Sequence, residues 1–247
     1  MISIKSRTAR LVPMALLSVL AFPALAGPIV VRAVGPSAVS YKPGQKLADT
    51  ATLVLKAGDQ VTVLDAKGTR SFSGPGSFRF DTASASAETP TAFADLLTQK
   101  PERRARIGAV RGSAGEMTGP ATPPGVWAID VGASGTVCAI DPAKLSLWRA
   151  EPMAAGAVTI TRTSDGKSAP VAFAPGASIA AWPATLVPAS GDQFRVSGAG
   201  APATMTLRTV KGAASVDVLG AELIDAGCMS QFERLARATK VTDAPAS

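Results

Sequence analysis

The chain has 247 residues, with 25 Lys plus Arg against 18 Asp plus Glu, two Cys and no His. Without His there are no Ser-His or Cys-His nucleophile pairs, no imidazole acid–base chemistry and no His-ligated metal site. The positive charge is local. Lys5, Arg7 and Arg10 stand at the start, and residues 100–111 carry Lys100, Arg103, Arg104, Arg106 and Arg111 against Glu102 alone, so the positive net charge is no evidence for a nucleic-acid-binding face spread over a domain, and no nucleic-acid partner is expected.

Residues 1–26 read as a Sec-type export signal. The three cations precede the apolar run Leu11–Leu25, and Ala24-Leu25-Ala26 before Gly27 is a small-x-small cleavage pattern. The run is shorter than the ~20 residues a membrane span needs. No Cys follows the cut for lipid attachment, and no Arg-Arg pair precedes the run. Cleavage after Ala26 lowers the net charge from +7 to +4 and predicts a periplasmic or secreted protein with no later transmembrane segment. In such a compartment Cys138 and Cys228 predict one disulfide, the alternative being two buried free thiols.

Residues 27–81 read as a first β module. Ile29–Val34 is an apolar segment broken by Gly35-Pro36, and Ala38–Tyr41 follows. Asp65–Gly68 is a hairpin turn, Thr69–Phe72 a strand, Gly74-Pro75-Gly76 a reversal and Ser77–Phe80 a last short strand. Residues 82–124 form a linker region. In it Thr91 caps a short helix, Ala92–Gln99, Pro101 ends that helix, the basic run follows, and Gly112–Pro124 is extended by composition.

Residues 125–211 read as a second β module with strands in Val126–Val131, Thr136–Ile140, Leu145–Arg149, Val158–Arg162, Pro170–Phe173 and Thr204–Val210. Turn signals at short intervals predict a sandwich or barrel. Residues 212–240 form a helical tail, with Leu219, Leu223, Phe232 and Leu235 at near-helical spacing. Gly227 is the expected C-cap of its first helix and Ser230 the N-cap of its second, so Cys228 would tie the tail to the strand of Cys138. Residues 241–247 read as a disordered end. The predicted fold class is therefore mainly β: two small sandwich- or barrel-like modules, a short linker helix and a C-terminal helical tail.

One stretch occurs twice. Leu47–Val63 and Ile179–Val196 each follow a Pro-Gly pair, contain Ala-Thr-Leu-Val and reach Gly-Asp-Gln followed by apolar-x-Val. Period-two alternation at Val61, Val63 and at Phe194, Val196 predicts a half-buried strand after each turn. Gly58-Asp59 and Gly191-Asp192 are predicted to be turns, with Gly supplying positive φ and Asp bonding the nearby backbone. The repeat predicts a duplicated β unit. The alternative, that Asp59 and Asp192 bind a metal, lacks a second carboxylate at ligand spacing in either copy.

Other motifs carry less. Ser164-Asp165-Gly166-Lys167 fits Ser-x-x-Lys, yet it lies between two strand-like runs and reads as a hairpin. Gly166-Lys167-Ser168 resembles the end of a phosphate loop, but Thr161 stands where the first Gly belongs. Trp127, Trp148 and Trp182 offer either buried anchors or a sugar-stacking platform, and Arg149 either a surface charge or a ring-stacking cation. Arg103, Arg104, Arg106 and Arg111 are either a solvated face or a candidate contact for an anionic partner.

The order Val39-x-Tyr-x-Pro-Gly-x-x-Leu, Leu53-x-Leu-x-x-Gly-Asp-x-Val-x-Val-Leu, Gly68-Thr69 and Gly74-Pro75-Gly76 resembles the FecR-type periplasmic β-domain over about Ile29–Phe80. Gly108–Gly112, Thr136–Pro142 and Leu147–Arg149 are similar to strings in exported alphaproteobacterial proteins that carry this domain. The resemblance implies envelope signalling and supplies no catalytic residue, cofactor or metal. The family's membrane anchor and cytoplasmic tail are not expected here. The expected function is therefore a non-enzymatic periplasmic binding or adaptor protein that uses sheet edges or the cleft between modules. The alternatives are a glycan-binding or glycan-acting protein using scattered carboxylates and Trp residues, and a structural envelope protein.

Overall fold

The computed structural model describes residues 27–80, 122–151, 156–213 and 215–240. The export segment, the helix Ala92–Gln99, the basic run, most of the linker and residues 241–247 lie outside the described residues.

The described chain is mainly β, with two helices at its C-terminal end. Residues 27–80 form strands β1 (Ile29–Val34), β2 (Thr52–Leu55), β3 (Gln60–Asp65), β4 (Gly68–Ser73) and β5 (Gly76–Arg79). They pair as a three-stranded sheet, β1-β3-β4, and a two-stranded sheet, β2-β5, all antiparallel. Alternation decides which side chains lie between the sheets. Leu53 and Leu55 of β2 and Val61 and Val63 of β3 are buried with Val30 and Phe80, and Phe72 and Phe78 pack against them. Ala38–Ser40 is one turn of 3-10 helix rather than a β segment.

The next eight strands are β6 (Ala128–Asp130), β7 (Gly135–Ala139), β8 (Ser146–Trp148), β9 (Gly156–Arg162), β10 (Ser168–Phe173), β11 (Ile179–Ala181), β12 (Gln193–Ser197) and β13 (Ala203–Thr209). They make a five-stranded sheet, β10-β9-β12-β13-β7, and a three-stranded sheet, β11-β8-β6. The β13–β7 and β6–β8 pairs are parallel. The core between these sheets includes Leu147, Ile160, Phe194, Met205 and Leu207. Ser164–Lys167 is the β9–β10 hairpin turn, with Arg162 N–H donating to Lys167 O at 2.8 Å.

Helices α1 (Val216–Asp225) and α2 (Met229–Ala238) complete the chain. The link between them is a Schellman closure. Gly227 N–H donates to Ile224 O at 2.9 Å and Cys228 N–H to Leu223 O at 2.7 Å. The N-cap of α2 is Cys228, not Ser230, because this closure delivers the chain into the helix one residue earlier than the Ser implies.

The tail is not an appendage of the second group of strands. A third core joins Ile29 and Leu64 of the first group, Val126, Trp127, Cys138 and Val210 of the second, and Leu219, Leu223, Phe232 and Leu235 of the helices. Gly220 makes the closest approach, since a Cβ there would stand 2.7 Å from Leu64 Cδ2 and 3.4 Å from Phe232. At the far end, Thr69 N–H of β4 donates to Thr239 O at 2.9 Å. A missing side chain in α1 and a backbone bond beyond α2 thus hold the helical pair against the first sheet. An exposed ion pair, Lys46–Asp225 at 2.8 Å, adds little to this.

The disulfide is present. Cys138 and Cys228 are fully buried, their Cα atoms 6.0 Å apart, and the bond spans 90 residues. Two predictions follow from this junction. Replacing both cysteines by Ala should cost roughly 4–5 kcal/mol by the loop-entropy account, read as a lower denaturation midpoint in urea. Gly220→Val should cost about 1–3 kcal/mol by overpacking against Leu64, read by thermal unfolding.

Candidate interaction site

The two Gly-Asp turns share one construction. Asp59 Oδ2 accepts from Lys56 N–H at 2.5 Å while Asp59 N–H donates to Lys56 O at 3.1 Å. Asp192 Oδ2 accepts from Ala189 N–H at 2.9 Å while Asp192 N–H donates to Ala189 O at 3.1 Å. Gly58 and Gly191 precede them with φ of 83° and 95°, which a residue with a Cβ adopts at a cost. Each turn opens a strand, β3 or β12. Both Asp residues therefore act as turn acceptors.

The Ala-Thr-Leu-Val strings preceding these turns do not share a backbone, which corrects the expectation of a whole duplicated β unit. Thr52–Leu55 is strand β2, whereas Ala184–Val187 is a turn and loop. Pro183 and Pro188 flank the second string and remove a ladder donor on either side of it, and Leu186 N–H closes a turn on Pro183 O at 3.0 Å. Burial nevertheless agrees: Leu53 and Leu186 are buried while Val54 and Val187 are exposed.

Buried and half-buried charges hold backbone. Asp59 also accepts from Ser37 N–H at 2.8 Å. Partial desolvation pushes its carboxyl upward, but bonds from Ser37 and Lys56 and the Lys56 charge outweigh it and leave it below the ordinary carboxylate range. Asp65 accepts from Lys67 N–H at 2.9 Å and pairs with Arg70. Arg162 pairs with Asp192 at 3.3 Å and Asp165 at 3.4 Å and donates to Val187 O, so it joins the hairpin turn to the second Gly-Asp turn. Asp165 is itself lowered: desolvation opposes this, but Lys167 N–H and the charges of Arg162 and Lys167 prevail.

Arg149 donates to Ala177 O at 3.1 Å and Ala174 O at 3.3 Å and lies 4.8 Å over the Phe173 ring, so it stacks on Phe173 rather than on Trp148. Arg234 of α2 donates to Val126 O at 3.0 Å and Ala128 O at 3.3 Å. Burial, reinforced by Arg237, pulls its guanidinium down to about 10 against the opposing pull of Asp130 and Glu233, so it stays protonated at neutral pH. Glu222 is raised by burial. Two carboxylate oxygens, Asp217 Oδ1 and Glu222 Oε2, are buried without a hydrogen-bond partner.

The three Trp side chains are anchors. Trp127, Trp148 and Trp182 are all buried. Trp182 meets Phe194 edge-on at 5.0 Å and donates to Leu186 O at 2.7 Å. Among the described residues no group of three Cys, Asp or Glu stands at metal-binding spacing. Arg103, Arg104, Arg106 and Arg111 lie outside the described residues.

Sheet edges are the surfaces on which a binding protein of this architecture could act, and most of them are closed. Gln231 of α2 donates to Cys138 O at 2.8 Å and accepts from Cys138 N–H at 2.5 Å, copying a strand at the edge of β7. Arg234 covers the start of β6. The Tyr41 hydroxyl donates to Val54 O at 3.1 Å and accepts from Val54 N–H at 3.0 Å, which seals β2. Val30 of β1 exchanges bonds with Gly44 and Gln45, and Thr69 N–H of β4 donates to Thr239 O. The sequence assigns no role to Gln231 or Arg234, and Tyr41 enters only as part of the FecR-type pattern. The only signal available was a polar side chain on an otherwise apolar helix face, or a lone Tyr beside a turn.

No family model matches the chain, and no curated protein or solved structure matches it either.

The Asp59 carboxylate predicts an acid-dependent contribution. Its folded pKa lies below its unfolded value of about 3.9. The stability it supplies is therefore present above that unfolded value and is lost as pH falls through the folded one. Asp59→Asn should flatten the acid side of the stability–pH curve below pH ~4 while leaving its slope above pH ~6 unchanged, as read by urea titration at stepped pH.

Proposed function

We propose that this is a non-enzymatic binding or adaptor protein of the periplasm or cell exterior, acting in envelope signalling through a FecR-type β-domain over residues 27–81. One observation carries the reading. Several half-buried or buried charges, Asp59, Asp65, Arg149, Arg162, Asp192 and Arg234 among them, are occupied in bonding main chain or each other across turns. Such groups position backbone.

The export-signal pattern and the disulfide support the address, since disulfides persist in oxidising compartments. Among the described residues no helix is long and apolar enough to cross a membrane. The FecR-type reading is supported by the use that some motif residues find: Tyr41 seals β2, Gly58-Asp59 opens β3 and Gly68 begins β4. The glycan reading loses its platform, because the three indoles are buried.

Affinity capture from periplasmic extract, with the Arg103/Arg104/Arg106 triple Ala variant beside the wild type, tests the proposal. The expected result is a saturable protein partner and no release of fragments from purified envelope glycan. Glycan cleavage abolished by replacing a single carboxylate would overturn it. Weaker capture by the variant alone would place the basic run in the contact.

A further inference from the structure

We infer that the free edge of β5 accepts an extended, acid-flanked segment of a partner protein as an added strand. This rests on the adaptor reading and names its surface. The register of the β2–β5 pair sets Val54 opposite Ser77 and Thr52 opposite Arg79. Because Tyr41 binds both main-chain groups of Val54, these point away from β5. Val54 and Ser77 are therefore a non-hydrogen-bonded antiparallel pair, and the N–H and C=O of Ser77 point away from β2 as well. Two residues on, those of Arg79 do the same. Among the described residues, no bond beyond the β2 ladder engages either residue.

Of the other edges, β1, β2, β6 and β7 are met by the side chains and loops described above, β4 is met at Thr69, β11 has only three residues, and β10 carries Pro170 at mid-strand. β5 has none of these devices. Beside it Phe72 and Phe78, both half-buried, stand 5.2 Å apart and offer apolar surface to alternate residues of an incoming strand.

Charge chooses the occupant. Residues 27–80 hold seven basic and three acidic side chains. Lys46 is paired with Asp225 and Arg70 with Asp65, whereas Arg32, Lys42, Lys56, Lys67 and Arg79 have no ion pair among the described residues. Edge-to-edge pairing of two copies would bring this excess against itself. A strand with acidic flanks meets Arg79 on β5 with opposite charge.

The test uses the full chain and two capped heptapeptides with a common Val-Thr-Val-Thr-Val core, one with Asp at both ends and one with Lys. The Asp peptide should bind at least about tenfold more tightly than the Lys peptide, and the amides of Ser77 and Arg79 should gain protection from hydrogen exchange by NMR. Ser77→Pro removes only an outward donor and should weaken binding at least about tenfold. Arg79→Glu leaves the backbone intact, so it guards against misfolding of the Pro variant, and it should abolish or reverse the preference between the peptides. Equal affinity for both peptides, protection located outside β5, or a dimer in light scattering that Ser77→Pro dissolves would each overturn the inference. A Ser77→Pro protein that still captures the partner from extract would sink the edge while sparing the adaptor reading. A wild type that captures none would sink the adaptor reading, and the peptides decide the edge independently.

Discussion

The bonding of one carboxamide to both main-chain groups of one strand residue, Gln231 to Cys138, is the constraint on which the junction depends. A strand edge buried under a helix leaves donors and acceptors that water cannot reach, and each orphan costs about 1–3 kcal/mol. Gln231 is 1% exposed and satisfies both groups of Cys138, so α2 can lie against β7 without that penalty. The disulfide fixes where α2 begins, and the Schellman closure between the helices fixes its direction. Everything further along α2 inherits this placement. Arg234, three residues on, reaches the backbone before and within β6, and Thr239 reaches β4. One ten-residue helix thereby touches three sheets.

The same economy governs charge. Arg162 gathers the hairpin turn, the second Gly-Asp turn and the carbonyl of Val187 around one guanidinium. Five donors in a fixed plane suit Arg to this work better than Lys. These groups hold the shape of the turns.

Period and punctuation carried most of the fold. Alternation at Val61 and Val63 and at Phe194 and Val196 placed β3 and β12, and the Gly-Asp pairs placed the turns, because both signals act within a few residues. Cys138–Cys228 was legible from number and context alone. The second Ala-Thr-Leu-Val string departs from the first because Pro183 and Pro188 on its flanks outweigh identity of side chains. Ser230 misled for a different reason: a cap is set by where the chain enters, and here the entry was fixed by Gly227. The role of the tail was not legible. Its apolar face reads the same whichever sheet it covers, and its tie to the first sheet depends on the absence of a side chain at Gly220.

The ties between the chain's two ends have a consequence for how the protein is made. Thr69 meets Thr239 across 170 residues and Lys46 meets Asp225 across 179, while Ile29 shares a core with Phe232. Contacts of such separation give a high contact order, and closing such loops is slow compared with forming a hairpin. The outermost strand of the first sheet meets Thr239 only after the 170 residues that follow Thr69 have been synthesised. The first sheet is thus completed only when α2 and the residues just after it have been made.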